Sequence, residues 1–338
     1  MAAGVREIIF ITYSSSITLP STNAKLDSPY YGIEYLITHP INRCWMGMVG
    51  GGERVYEMRD IAISIQLRGY HTSTESPSQA AGYGNENQVG RAIKDSGILR
   101  NEIYLTTKLG VQVAFEKSLM ELDTDYVDLY LMHWPQAYKP DGEGGAFRPD
   151  ESPTFVETWK DMEKLLESGK VKSIGVSNFS IKNLEILLPH CTIIPATNQV
   201  ELHPYLPQNE LKDYCESKGI ILTAYSPLGQ PSPDDPALII NETVKALASK
   251  LNVDVAQVLL SWGVQRNAVV IPKTENTQRM ATNITLIQLS LENIKVLDDL
   301  HLQPKMHRSL CHKSKQGEIF GWTYDEMGWP EHLYNADA

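Results

Sequence analysis

The stretch VDLYLMHWP, residues Val127 to Pro135, decides how the chain folds. Its first six residues are apolar apart from one aspartate, the pattern of a strand buried on both faces of a parallel sheet. It then ends in His133, Trp134 and Pro135, three residues that serve a strand's core poorly. Working outward, EIYLTTKL before it and VKSIGVS, IIPATNQV, IILTAYS and AVVIPK after it read as further strands. Amphipathic stretches lie between them. In VQVAFEKSLMEL, residues Val111, Phe115, Leu119 and Leu122 recur at helical spacing. A Pro/Gly-rich loop from Pro135 to Pro149 precedes a second helix. Ser152 and Pro153 read as its cap and first turn, Phe155, Trp159, Met162 and Leu166 as one face, and Gly169 as its end. Strand then helix, repeated, means a parallel sheet.

Counting back, GYHTST with NENQVGRAIKDSG forms a seventh unit, and CWMGM with GGERVYEMRDIAISI an eighth. Eight such units predict an α/β fold, a (β/α)8 TIM barrel, with its first two units irregular. Residues 1–40 show neither period and read as an irregular N-terminal segment. Residues 41–300 read as the barrel, and residues 301–338 as a tail over its mouth.

With 338 residues and 42% apolar composition the chain can build a sizeable core. Its 41 carboxylates against 30 Lys and Arg give a field that repels nucleic acid and anionic membrane. The four cysteines, Cys44, Cys191, Cys215 and Cys311, lie far apart, which suits free thiols in a reducing compartment. No run approaches the length of a membrane span and the start lacks a signal peptide's pattern, so a cytoplasmic protein is expected.

In a barrel of this kind the C-terminal strand ends form the active-site rim. That places Lys108, His133 with Trp134, Ser177 with Asn178, Gln199, Tyr225 and Lys273 on one rim. Any one of them is accounted for by loops being polar; six in succession point to a site. No GxGxxG follows a strand, so a Rossmann fold has no fingerprint here. MVGGGERV lacks the Lys and Ser/Thr of a phosphate loop and reads as a turn. His203 before Pro204 reads as structural or as a pocket-rim residue.

Together GYGNENQVGRAI, IYLTTKL, DYVDLYLMHWP, GKVKSIGVSNF, NQVELHPYLPQNEL, GIILTAYSPLG and IPKTENTQRMATN resemble the aldo-keto reductase family, in its order, over roughly residues 80 to 300. The closing IFGWTYDEMGW is similar to the C-terminal tail of fungal members. The resemblance implies NADPH-dependent reduction of a carbonyl to an alcohol without a metal, in a monomer or dimer acting on a small molecule. Hydride transfer builds negative charge on the carbonyl oxygen, so the site needs a proton donor and hydrogen-bond donors there. Tyr83 matches the family's acid and Lys108 the lysine beside it. An ammonium about 4 Å from a phenol favours the phenolate by several kcal/mol at an effective dielectric of about 20. His133 matches the histidine that orients the substrate oxygen, and Trp45 and Trp134 match pocket tryptophans.

The same resemblance assigns the cofactor. Ser177, Asn178 and Gln199 match contacts to its carboxamide, Tyr225 the ring stacked on the nicotinamide, and Ser226 and Leu228 pyrophosphate contacts. Lys273, Thr274 and Arg279 match the cluster around the adenosine 2′-phosphate, with Asn283 on the adenine; two cations and a hydroxyl suit a phosphate dianion. Glu275 adds a negative charge beside them.

Three departures stand out. The family's aspartate partner of the lysine falls on Ser78 or Thr74, depending on alignment, and Glu75 is the carboxylate nearby. The loop after Lys108 is short, and residues 1–43 carry no counterpart of the family's N-terminal hairpin. A reductase of reduced activity is the reading these imply, and an NADPH-binding protein without turnover is the alternative. An unrelated barrel hydrolase would need a metal cluster or a carboxylate pair at the rim, and the sequence offers neither.

Overall fold

The computed structural model describes residues 61–64, 86–109, 114–139, 145–229, 237–274, 276–303 and 318–329. Seven strands form one parallel sheet in sequence order: β1 (Ile61–Ser64), β2 (Ile103–Leu109), β3 (Val127–Met132), β4 (Val171–Ser177), β5 (Thr197–Glu201), β6 (Ile221–Tyr225) and β7 (Val269–Ile271). Helices connect them: α1 (Glu86–Ser96), α2 (Ala114–Leu122), α3 (Phe155–Glu167), α4 (Ile181–Leu187), α5 (Asn209–Ser217), α6 (Glu242–Leu251) and α7 (Val255–Gln265). After β7 come α8 (Thr277–Asn283) and α9 (Leu291–Asp298), then a short hairpin, β8 (Glu318–Ile319) and β9 (Trp322–Thr323), and α10 (Tyr324–Met327). This is the α/β architecture expected, a strand-by-strand parallel sheet of the TIM-barrel kind.

β3 is buried along its whole length. Each Leu taken from water there stabilises by roughly 1.5–3 kcal/mol. Asp128, the second residue of β3, is tolerated because its carboxylate is fully engaged. Arg100 Nη1 and Lys172 Nζ each lie 2.9 Å from it, and the Leu105 N–H donates to Oδ2 at 2.9 Å. Both cations also flank the Tyr126 ring, 3.9 and 4.1 Å from its centroid. This pinning lies at the strands' N-terminal ends, away from the rim.

The structure corrects three local readings. Within GGERVYEMRDIAISI, taken as helical, Ile61–Ser64 is a strand in register with Ile103 to Thr106; its alternation of isoleucine with small residues favours the pleated chain. The cap of α3 is Thr154, not Ser152. Thr154 has Glu157 three residues on and forms a reciprocal capping box, whereas Ser152 has Phe155 there. Ile193 and Ile194, read as part of a strand, are exposed and precede it, and β5 begins only at Thr197, past Pro195. CWMGM, GYHTST and the first segment lie outside the described residues.

Gly90 sits inside α1, where a Cβ would collide with the Leu122 carbonyl at the end of α2. Helix propensity alone makes Gly90→Ala about 1 kcal/mol stabilising. Contact with rigid backbone outweighs that, and a net loss of about 1–3 kcal/mol is expected in a urea titration; a gain would show that the two helices slide apart freely.

Candidate active site

The register of the sheet gathers the predicted rim residues. Lys108 pairs with Leu131 and Leu109 with Met132, so His133 follows at the same end of β3. Ser177 pairs with Gln199, and Tyr225 with Glu201 and Ile271. Parallel strands end on the same side, which is why residues so far apart in sequence meet.

A hydrogen-bonded network crosses this rim. Ser177 Oγ donates to the Gln199 carbonyl at 2.8 Å, and the Asn178 N–H donates to the same oxygen at 2.9 Å. Asn178 Nδ2 donates to the His133 carbonyl at 3.0 Å, while Tyr225 Oη donates to Asn178 Oδ1 at 3.0 Å. Asn178 is thus the hub joining β3, β4, β5 and β6. Its backbone is left-handed, φ 63°, a conformation asparagine adopts more readily than most residues and one that recurs at functional sites.

Gln199 is fully buried, yet neither its Nε2 nor its Oε1 has a hydrogen-bond partner among the described residues. Leaving a buried amide unpaired costs about 1–3 kcal/mol for each polar group. A side chain kept at that cost, beside Ser177 and Asn178, suits a ligand bearing its own amide, which offers both a donor and an acceptor. The nicotinamide carboxamide is such a group, so the residues present fit the cofactor that the sequence implies.

Burial acts on both Lys108 and His133, and the Lys108 charge acts in turn on His133. Burial pushes the Lys108 ammonium down to about 7. Burial, and then the Lys108 charge, hold His133 well below the usual imidazole range, so it stays neutral. Between about pH 7 and 10.5 the unfolded chain therefore binds more protons at Lys108 than the folded one. Its contribution to stability rises with pH across that window and is lost as pH falls through it. The expected result, from unfolding of the cofactor-free protein, is a difference between wild type and Lys108→Met that shifts in favour of wild type as pH rises; a flat difference contradicts it.

The comparisons with known proteins agree with this geometry. Residues 79–301 match the model of the aldo/keto reductase family. The chain belongs to that family. Aldehyde reductase YPR1 of Saccharomyces cerevisiae is 41% identical over 265 residues, covering 70% of this chain and 84% of the relative. The glycerol 2-dehydrogenase (NADP(+)) of the same yeast is 44% identical over 242 residues, covering 65% and 77%. A Bombyx mori aldo-keto reductase solved in complex with NADP superposes with a TM-score of 0.60 at 33% identity, over 71% of this chain and 78% of that one.

The remaining residues that the aldo-keto reductase pattern singles out fall as follows. Ser226 and Leu228 lie in the turn after β6, where Ser226 has φ 49° and its carbonyl accepts from the Gly229 N–H at 2.9 Å. Lys273 and Arg279 are exposed beyond β7 and on α8, and Thr274 and Asn283 are buried beside them. Tyr83, Trp45, Ser78, Thr74, Glu75 and Glu275 lie outside the described residues. Among the described residues Lys108 pairs with no carboxylate, and burial alone acts on its ammonium. Cys191 and Cys215 are free thiols.

Three features escaped the sequence. His203, left without a chemical role, is buried with its Nε2 2.9 Å from Glu201 Oε1. Glu201 stands two residues beyond Gln199, and the period of a strand was the available signal. Glu86 at the start of α1 accepts a hydrogen bond from Thr107 Oγ1 at 2.7 Å, tying the helix to the strand that carries Lys108. Phe320, with φ 50°, sets its ring edge-on to Trp134 at 5.0 Å between centroids. The segment bearing it is fastened to the chain beyond β3: Gln136 Nε2 donates to the Ile319 carbonyl at 3.0 Å, Trp322 Nε1 to the Phe147 carbonyl at 2.7 Å, and Arg148 pairs with Glu326. No local pattern foretells a contact between residues so distant in sequence.

Proposed function

We propose that the chain reduces aldehydes or ketones to alcohols with NADPH, with Tyr83 as general acid, Lys108 lowering its pKa and His133 orienting the carbonyl. The observation that carries this reading is Gln199, a buried amide with both polar atoms unpaired beside Ser177, Asn178 and Tyr225. When bound, NADPH supplies the hydride. The chain's own residues do the rest. Gln199, Asn178 and Ser177 would hold the carboxamide, and Tyr225 would stack on the nicotinamide ring. Ser226 and Leu228 contact the pyrophosphate, and Lys273, Thr274, Arg279 and Asn283 take the 2′-phosphate end.

His133, neutral by burial, keeps a ring N–H to donate to the carbonyl oxygen, and Asn178 holds its backbone in place. Tyr83 delivers the proton as charge develops on that oxygen, and a cationic Lys108 beside it makes the phenol a better acid. Trp134 and Trp45 form apolar walls that keep water from the reacting carbon. The named activities of the yeast relatives, an aldehyde reductase and an NADP(+) dehydrogenase, support the same class. The barrel spans residues 41–300 in this reading, with residues 1–40 preceding it and residues 301–338 closing over its mouth. The protein works in the cytoplasm as a monomer or dimer. No helix among the described residues is long and apolar enough to cross a membrane.

One observation favours a second reading, an NADPH-binding protein without turnover: Lys108 lacks a carboxylate among the described residues. Titrating protein fluorescence with NADPH and then following its oxidation by a reactive aldehyde separates the two. Oxidation supports the reductase, binding alone the second reading, and absence of binding contradicts both.

A further inference from the structure

We propose that the C-terminal segment carrying α10 braces the cofactor site, and that Asn183 is the positioning residue through which it acts. The inference rests on the reading of Ser177, Asn178 and Gln199 as the carboxamide site. It adds to that site an element met 144 residues beyond Asn183.

The turn from Ser177 to Ser180, between β4 and α4, is held from two sides. On the sheet side, the Gln199 carbonyl accepts from Ser177 Oγ and from the Asn178 N–H. The Asn198 side chain clamps Phe179 there, donating from Nδ2 to its carbonyl at 2.8 Å and accepting its N–H at Oδ1 at 3.3 Å. On the other side α10 closes on the first turn of α4. Asn183 Nδ2 donates to the Met327 carbonyl at 3.1 Å, both residues being buried, and Lys182 Nζ donates to the Asp325 carbonyl at 2.7 Å. Gly328, left-handed at φ 70°, packs so closely that a Cβ there would collide with Ser180 Oγ. That oxygen caps α4 by accepting the Asn183 N–H at 3.2 Å.

Two observations give these contacts a role beyond anchoring a tail. The segment is already fastened to the chain beyond β3 through Gln136, Phe147 and Arg148, so the contacts with α4 are a second, separate set. Asn178, in turn, holds a left-handed backbone, a conformation that persists only where its surroundings over-determine it. Asn183 fixes where α4 begins, and the start of α4 fixes the turn that bears Asn178. Coupling between the segment and the carboxamide site needs no longer path than these few packed residues.

The test compares NADPH affinity, by fluorescence titration, for full-length wild type, Asn183→Ala and Trp322→Phe. Each variant loses one hydrogen bond of the segment, the first on its α4 side and the second on its β3 side. Asn183→Ala is expected to weaken NADPH binding about three- to tenfold, the scale of one hydrogen bond, and Trp322→Phe to leave it within about twofold. A merely structural role would cost both variants stability and neither of them affinity. Unchanged affinity in Asn183→Ala, or equal losses in the two variants, overturns the proposal. Should Asn183→Ala not fold, Gly328→Ala makes the same comparison from the other partner. Hydrogen exchange of the cofactor-free protein is the second readout: the Asn178 and Phe179 amides are expected to exchange about three- to tenfold faster in Asn183→Ala than in wild type. Unchanged exchange overturns the brace. A wild type that binds no NADPH while the exchange responds sinks only the cofactor reading, and one that binds NADPH with both readouts unmoved sinks only the brace.

Discussion

Lys108→Met is expected to lower kcat for aldehyde reduction by about 10² to 10⁴ while leaving NADPH affinity within a few fold, because it removes a positioned charge and no cofactor contact. The methionine matches the aliphatic stem, so packing at the end of β2 survives. It also removes an amine that burial has pushed down to about 7. The folded variant is therefore expected to be at least as stable as wild type at and below neutral pH, where the buried ammonium is a burden. Loss of activity with stability kept is the signature sought. Steady-state kinetics beside a thermal melt reads both, and a variant retaining full kcat would show that Lys108 has no part in the chemistry.

The second large effect falls on Gln199. Gln199→Leu is expected to weaken NADPH binding by about ten- to a hundredfold, on the scale of one or two lost hydrogen bonds. In the cofactor-free protein it is expected to stabilise, since an apolar side chain of similar shape replaces an amide whose two polar atoms are unpartnered. Opposite signs for folding and for binding distinguish a side chain kept for a ligand from one kept for packing. If the variant lost stability and affinity together, Gln199 would be a structural residue and the cofactor argument would lose its main support.

The fold was legible wherever strands are buried on both faces. VDLYLMHWP and the IGVSNF part of VKSIGVSNF announce themselves because an internal parallel strand needs a near-continuous apolar run, and His133, Ser177 and Asn178 follow at the C-terminal ends. Lys108, His133, Ser177, Asn178, Gln199 and Tyr225 were placed together by that logic, and the register of β2 to β6 brings them to one rim. Ile61–Ser64 was misread because a short run of isoleucine and small residues satisfies a helix or a strand, and only its pairing with β2 decides. Phe320 against Trp134 was out of reach, since a ring contact between residues so far apart in the chain leaves no periodic mark. Glu201 was within reach: a strand that points Gln199 into the site points the second residue after it the same way.

The central claim is that this rim performs carbonyl reduction with Tyr83 as the acid. The measurement that tests it most directly compares wild type with Tyr83→Phe: NADPH binding by fluorescence titration, then oxidation by a reactive aldehyde in the same sample. Comparable binding by both proteins, turnover by the wild type and a loss of about 10² to 10⁴ in the variant is the predicted result. Equal turnover by the two proteins, or binding by the wild type with no turnover at all, would contradict it.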